Sequence, residues 1–237
     1  MRVWVTRTAP DAEATAARLR TLGHIPITAP ILAVRPLPGL ALPGLAPDLE
    51  GVAALTFTSR NGVAVFAALN PERRLPVFAV GPSTAEAARA AGYWDVQAAG
   101  GDVDSLVGLI LRRKATIGGA VLHPGPDKPA GDLAGALNAG GVAARLLPIY
   151  ATETLPLPRA AAEALAASPL GMDVVLVHSP QAARTLIGYA ELAVAAPALT
   201  ALCISPAAAA PLKPLNFRSV AAAPLPNEQA LLNLLAG

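Results

Sequence analysis

Short apolar runs, each followed by a stretch of helical period, recur along the 237 residues. Arg2–Thr6 reads as a strand, and Ala12, Ala16, Leu19 and Leu22 mark the buried stripe of the helix after it. Thr8-Ala9-Pro10-Asp11 is its capped entry and Gly23 its left-handed stop. Ile25–Val34 reads as one strand, followed by a Pro/Gly/Leu connection over Pro36–Pro47. Val52–Thr58 is a continuous apolar run, the kind covered on both faces in a parallel sheet. Ser59 caps a helix that Asn70-Pro71 stops, and Pro76–Val80 is strand. Ser83-Thr84-Ala85-Glu86 reads as a capping box opening a helix to Ala91, followed by a strand over Trp94–Ala98. Asp102 caps a helix through Arg112-Arg113-Lys114, whose cations suit its C-terminus.

The opening of the chain then returns. Val121–Thr152 lies over Val3–Val34 without gaps, displaced by 118 positions. Val121 falls on Val3, Leu137 on Leu19, Gly141 on Gly23, and Pro148-Ile149 on Pro30-Ile31. Leu55–Val63 is echoed by Val175–Ala183, and Val80-Gly81-Pro82 by Ile204-Ser205-Pro206. Repeats this long and this few mean two similar domains rather than a solenoid. After Leu155-Pro156-Leu157-Pro158 the pattern continues with helix Arg159–Ala167, strand Asp173–His178 and a helix capped by Ser179. Strand Thr200–Ile204, helix Ala207–Leu212, strand Arg218–Ala222 and helix Asn227–Leu235 complete it. Alternating strands and helices imply doubly wound parallel sheets, so the expected class is α/β.

Composition narrows the function. Hydrophobic residues make up 54% and charged ones 14%, enough for large cores. The net charge of +2 is too mild to argue for nucleic acid, and no stretch interleaves Lys/Arg with aromatics. It suits an anionic small molecule. Cys203, the single cysteine, sits in a core strand pattern and excludes an internal disulfide. His24, His123 and His178 are too scattered for a zinc motif. No signal peptide is visible, and Pro197, Pro206 and Pro211 argue against a membrane span in the uncharged stretch Leu192–Leu212. A cytoplasmic protein with no membrane association is expected.

Ligands of such sheets gather at the carboxyl ends of strands, where helix N-termini present free amides. That rule selects Thr6-Arg7-Thr8, Thr58-Ser59-Arg60-Asn61, Gly81-Pro82-Ser83-Thr84, His123-Pro124-Gly125, His178-Ser179-Pro180-Gln181 and Ser205-Pro206. These are small, polar loops suited to carboxylates; each serine or threonine can equally be a helix cap, and the two roles can coexist. No dinucleotide fingerprint, phosphate-binding loop, nucleophile elbow or paired-histidine motif is present.

The order Val5-Thr6-Arg7, Leu22-Gly23-His24, Ala29-Pro30, Phe57-Thr58-Ser59-x-x-Gly62-Val63, Ala79-Val80-Gly81-x-x-Thr84-Ala85, Pro148-Ile149-Tyr150 and Ser179-Pro180-x-Ala182 resembles the uroporphyrinogen-III synthase family over nearly the whole chain. The resemblance implies a cofactor-free enzyme that cyclises hydroxymethylbilane with loss of water and inversion of its last pyrrole ring. It implies two flavodoxin-like α/β domains joined by a two-stranded linker, with the substrate between them. The crossover strands would be Ala29–Val34 and Tyr150–Thr152, so that residues 1–34 and 152–237 form one domain and 36–149 the other. Tyr150 matches the tyrosine thought to donate a proton to the departing hydroxyl; its other reading is a packed strand aromatic. Thr84, Ser59 and Ser179 match family loop residues. With Thr58, Asn61, Gly81, Ser83, Gly125, His178, Gln181 and Ser205 they make up the expected substrate-binding set. Arg7 belongs to it if it meets a substrate carboxylate rather than a local acid. Two departures stand out: Ser205-Pro206-Ala207-Ala208 replaces a usual Gly-x-x-Thr-Ala, and Pro124-Gly125 lacks a usual basic residue. The expected partner is an anionic linear tetrapyrrole bound by a monomer, with no metal. The alternative is a non-catalytic two-domain binder or sensor of an anionic small molecule.

Overall fold

The computed structural model describes residues 1–9, 11–38 and 48–236. Pro10 of the expected first cap, and residues 39–47 of the expected Pro/Gly/Leu connection, lie outside them. The chain divides into two compact units, Met1–Ala33 with Glu153–Gly237, and Val34–Thr152.

The first unit holds strands β1 (Arg2–Val5) and β2 (Ile25–Thr28), with helix α1 (Asp11–Thr21) between them. The second begins within β3 (Leu32–Pro36). It continues through β4 (Val52–Phe57), α2 (Arg60–Leu69), β5 (Val77–Ala79), α3 (Pro82–Ala90), β6 (Val96–Ala98), α4 (Val103–Arg112), β7 (Ala120–Pro126) and α5 (Leu133–Ala139). The chain re-enters the first unit within β8 (Ala144–Thr154). There it forms α6 (Arg159–Ala166), β9 (Val174–Val177), α7 (Pro180–Leu186), α8 (Ala190–Ala195), β10 (Thr200–Cys203), α9 (Pro206–Ala209), β11 (Ser219–Ala222) and α10 (Glu228–Asn233).

One sheet has the order β2-β1-β9-β10-β11, the other β3-β8-β7-β4-β5-β6. Strand pairs β1–β2, β1–β9, β9–β10 and β10–β11 are parallel, as are β7–β8, β4–β7, β4–β5 and β5–β6. The 118-residue repeat acquires a structural meaning here. β7-α5-β8 occupies the place in its sheet that β1-α1-β2 occupies in the other, and β4, β5 and β6 correspond to β9, β10 and β11. The second unit is thus a circular permutation of the first, entered through the extra edge strand β3.

Period-two alternation explains why both faces of each sheet are covered. In β9, Val175 and Val177 join one core cluster, while Val174 and Leu176 join the cluster on the opposite face. In β4, Leu55 and Phe57 face one cluster and Ala54 the other. The repeat pairs Val3/Val121, Leu19/Leu137 and Ile31/Ile149 are all fully buried. Gly23 (φ 77°) and Gly141 (φ 74°) both take the left-handed conformation that ends α1 and α5.

The structure corrects four expectations. Ile25–Val34 is not one strand: β2 stops at Thr28 and β3 starts at Leu32. Pro30 has no N–H to give a ladder, and the Ala29 carbonyl accepts Trp4 Nε1–H at 2.7 Å instead. In the second copy Pro148 stays inside continuous β8, opposite Gly125, where the register against β7 shifts between Gly125 and Pro126. Leu22 is 52% exposed because α1 ends at Thr21; Thr15 is buried with Ala12, Ala16 and Leu19 instead. Ser83 does not cap α3, because Pro82 takes the helix's first position and leaves Gly81 at the cap with no side-chain bond. Trp94 lies before β6, 74% exposed. Cys203 is buried and its thiol is pushed up to about 12, as a packed small hydrophobe would be.

Candidate functional site

In each unit the expected loops lie at the carboxyl edge of the sheet, because every pairing that brings their strands together is parallel. In the second unit, Thr58 and Ser59 follow β4, Gly81 follows β5, and His123–Gly125 ends β7. Ser59 is the N-cap of α2 and accepts the Gly62 N–H at 3.1 Å. Its Oγ is also 3.0 Å from the Tyr150 phenol oxygen. Tyr150 stands in β8, two places from β4 with β7 between. Its hydroxyl therefore crosses the end of β7 to reach Ser59. The ring is 4% exposed and packs in the core cluster that contains Phe57 and Val63. Burial pushes the phenol upward, only partly offset by the bond to Ser59, so it stays protonated through neutral pH.

A second contact runs beside the first. Thr58 Oγ1 is 3.1 Å from His123 Nε2. Burial alone lowers His123 to about 4, so the imidazole is neutral at physiological pH. It therefore does not replace the charge of the basic residue missing near Gly125. Gly125 leaves the ring its space: a Cβ there would lie 2.9 Å from Nε2. A Cβ on Gly62 would lie 2.9 Å from the Pro124 carbonyl oxygen, so the first turn of α2 sits directly against the end of β7. Gly81 is similarly close to Gly101, Thr84 is buried, Asn61 is half-buried on the first turn of α2, and Ser83 is exposed.

In the first unit, the expected binding residue Arg7 is engaged by local acids. Nη2 bonds Asp11 at 2.6 Å and Nη1 bonds Glu228 at 2.6 Å. Thr15 donates to the other Glu228 oxygen at 2.5 Å. His178 packs against this group with Nε2 3.5 Å from Glu228. Burial lowers His178 and keeps it neutral. Burial also opposes the charge on Glu228, yet that carboxyl is held well below its usual range. The His178 ring beside it, the Thr15 bond and the Arg7 charge hold it there. Ser179 and Ser205 are N-caps, accepting from Ala182 at 3.0 Å and Ala208 at 3.3 Å, and Gln181 is exposed.

Sequence reasoning selected the loop of His123 but not its ring, and passed over Asp11, Thr15 and Glu228. Asn227 followed by an acid signals a helix entry and nothing more. The partner that turns Glu228 into part of a charge cluster is 221 residues away. Among the described residues no three His, Cys, Asp or Glu side chains come together as a metal site. No helix among them is long and apolar enough to cross a membrane. A depression of about 620 Å³ is lined by Asn70, Arg73 and neighbouring residues. It lies at the C-terminal end of α2, roughly 15 Å of helix away from Ser59, and holds none of the groups above.

The family described as uroporphyrinogen-III synthase HemD matches residues 13–233. A solved uroporphyrinogen-III synthetase from Helicobacter pylori is 17% identical, with a TM-score of 0.63 over 99% of this chain and 97% of that one. A mutant uroporphyrinogen III synthase from Thermus thermophilus is 20% identical, with a TM-score of 0.55 over 100% and 96%. At such identities these likenesses speak to the fold. No curated protein sequence matches the chain.

Proposed function

We propose that Tyr150 is the acid of the reaction this chain carries out: the chain belongs to the uroporphyrinogen-III synthase family and cyclises hydroxymethylbilane in tetrapyrrole biosynthesis. The hydroxyl of the substrate leaves as water only if its oxygen gains a proton. The cation left behind closes readily on its own to the wrong isomer, so the protein's work is mainly to fold and hold the chain. The observation that carries the assignment is the Tyr150–Ser59 contact: a buried, protonated phenol held against the Ser59 hydroxyl at the carboxyl end of β4.

Around it, Thr58, Ser59, Asn61, Gly81, Ser83, Thr84 and Gly125 would meet the substrate in the second unit. His178, Ser179, Gln181 and Ser205 would meet it in the first. The first-turn amides of α2 and α3 add the positive end of a helix dipole for its carboxylates. Arg7 contributes through its own ion pairs rather than as a free cation. The reading has the chain acting as a cytoplasmic monomer with no metal and no nucleic acid, in keeping with a net charge of only +2.

Purified protein in chelator-treated buffer should convert hydroxymethylbilane to the type III isomer, with a rate proportional to enzyme concentration. If only the spontaneous type I isomer forms at every concentration, the chain is a binder and not a synthase.

A further inference from the structure

Ser59 Oγ has two neighbours with different demands. Gly62 N–H donates to it at 3.1 Å, and the Tyr150 phenol oxygen lies 3.0 Å away. A serine hydroxyl carries one proton to give and lone pairs to accept with. The Gly62 amide takes one acceptor position, which leaves the hydroxyl one lone pair and its own proton; either oxygen of the pair can be the donor, and when Ser59 donates, Tyr150 Oη is its acceptor. Both partners are held from their own elements. Ser59 is locked as the cap of ten-residue α2, whose Gly62 lies against the Pro124 carbonyl. The Tyr150 carbonyl accepts the Asp127 N–H at 2.8 Å, and its ring is embedded in the core. Neither hydroxyl has to be reorganised when the reaction begins.

We infer that Ser59 is the positioning residue of the acid, donating its proton to the Tyr150 oxygen and so directing the phenolic proton outward to the substrate. This rests on the reading of Tyr150 as the acid. In the step, the phenolic proton moves to the hydroxymethyl oxygen. The C–O bond breaks with its electron pair on that oxygen, and water departs. The substrate is left cationic and Tyr150 anionic. The proton released when the closing pyrrole regains its aromaticity returns to Tyr150. A hydrogen bond from Ser59 to a phenolate is stronger than one to a phenol, so it favours the transition state over the ground state.

The test compares Ser59→Ala, Ser59→Thr, Tyr150→Phe and the Ser59→Ala/Tyr150→Phe double variant in steady-state turnover of hydroxymethylbilane to the type III isomer. Ser59→Ala should lower kcat about 10- to 100-fold with KM changed less than about threefold. Ser59→Thr, which keeps a hydroxyl and a cap, should recover most of it. In the Tyr150→Phe background the alanine change should cost less than about twofold more, because the two residues act as one unit. Ultraviolet titration of the phenol should show Tyr150 ionising at higher pH in Ser59→Ala, a readout independent of catalysis. Fully active Tyr150→Phe removes the reading on which the inference rests. Impaired Tyr150→Phe beside unimpaired Ser59→Ala, or equal losses from Ser59→Ala in both backgrounds, overturns the inference alone.

Discussion

Arg7 Nη1 and Glu228 Oε2 lie 2.6 Å apart although 221 residues separate them in sequence. The pair ties the end of β1 to the start of α10, and Asp11 holds the other side of the same guanidinium at 2.6 Å. The side chains are only about one-fifth exposed or less, so the ion pairs are screened weakly. Removing the cation would leave two carboxylates facing each other. Arg7→Leu should therefore destabilise the first unit by roughly 2–4 kcal/mol, at the lower end of what a broken buried pair costs. Denaturant unfolding followed on each unit checks this. An unchanged midpoint with a raised KM would instead make Arg7 a substrate ligand.

Tyr150→Phe keeps the ring in its core cluster and removes one hydroxyl. A positioned acid contributes about 10²–10⁴-fold, and departure of this hydroxyl is intrinsically easy, so turnover should fall by about 10²-fold. The melting temperature should shift by no more than a few degrees, since a single net hydrogen bond is worth about 1 kcal/mol. Wild-type turnover in this variant returns Tyr150 to the role of a packed strand aromatic.

His123 makes the second unit sensitive to acid. Unfolded, its imidazole takes a proton below about pH 6.5; folded, only below about 4. The folded state thus binds fewer protons in that window. Its stability is full above 6.5 and falls as pH drops from 6.5 to 4. The loss should approach roughly 3 kcal/mol at the lower end. Melting temperatures between pH 4 and 8 should show this slope, and His123→Gln should flatten it. Equal slopes in both proteins would mean that the ring titrates as it does in solvent.

Arg73 closes the ends of two helices. Its guanidinium donates to the carbonyls of Asn70, Glu72, Ala67 and Ala91 at 2.6–2.7 Å, and stacks 5.0 Å above the Tyr93 ring. Carbonyls at the C-termini of α2 and α3 have no helical partner of their own. Arg73→Met keeps much of the stem and removes every donor, so it should cost roughly 2–4 kcal/mol in the second unit. Because Ser59 is at the opposite end of α2, kcat should change less than threefold in the folded variant. A drop in kcat without lost stability would show that this end of the helix also sets the position of Ser59.

Gly62 joins α2 to β7 at closer range than any side chain allows. In Gly62→Ala the new methyl meets a backbone oxygen, which cannot swing aside as a flexible side chain can. The first turn of α2 must move, carrying Ser59 away from Tyr150. We expect a loss of about 1–3 kcal/mol together with lower kcat, measured by thermal unfolding and steady-state assay. An unaffected kcat would show that the hydroxyl pair tolerates the shift.

What the chain dictates locally, it dictates well. Apolar runs marked Val52–Thr58 and Asp173–His178 as strands, and the structure has strands at Val52–Phe57 and Val174–Val177. Ser59, Asp102 and Ser179 were legible as caps, and each bonds an amide three residues on; Asn227, read as the first helical residue, is a cap of the same kind. The repeat of Val3–Val34 at Val121–Thr152 was legible too, since the same βαβ packing needs the same small set of residues. Local signals misled where two competed: Pro82 over Ser83 at the start of α3, and Pro30 over the apolar run that β2 and β3 divide between them. Tertiary structure alone decided which side chains meet. Period and propensity say which face a residue occupies, but not its partner across the chain. Nothing near Ser59 points to Tyr150, 91 residues on, and nothing near Arg7 points to Glu228. Those contacts exist because parallel crossovers bring the carboxyl ends of the parallel strands to one edge of their sheet. That is a property of the winding, which no short stretch of sequence contains.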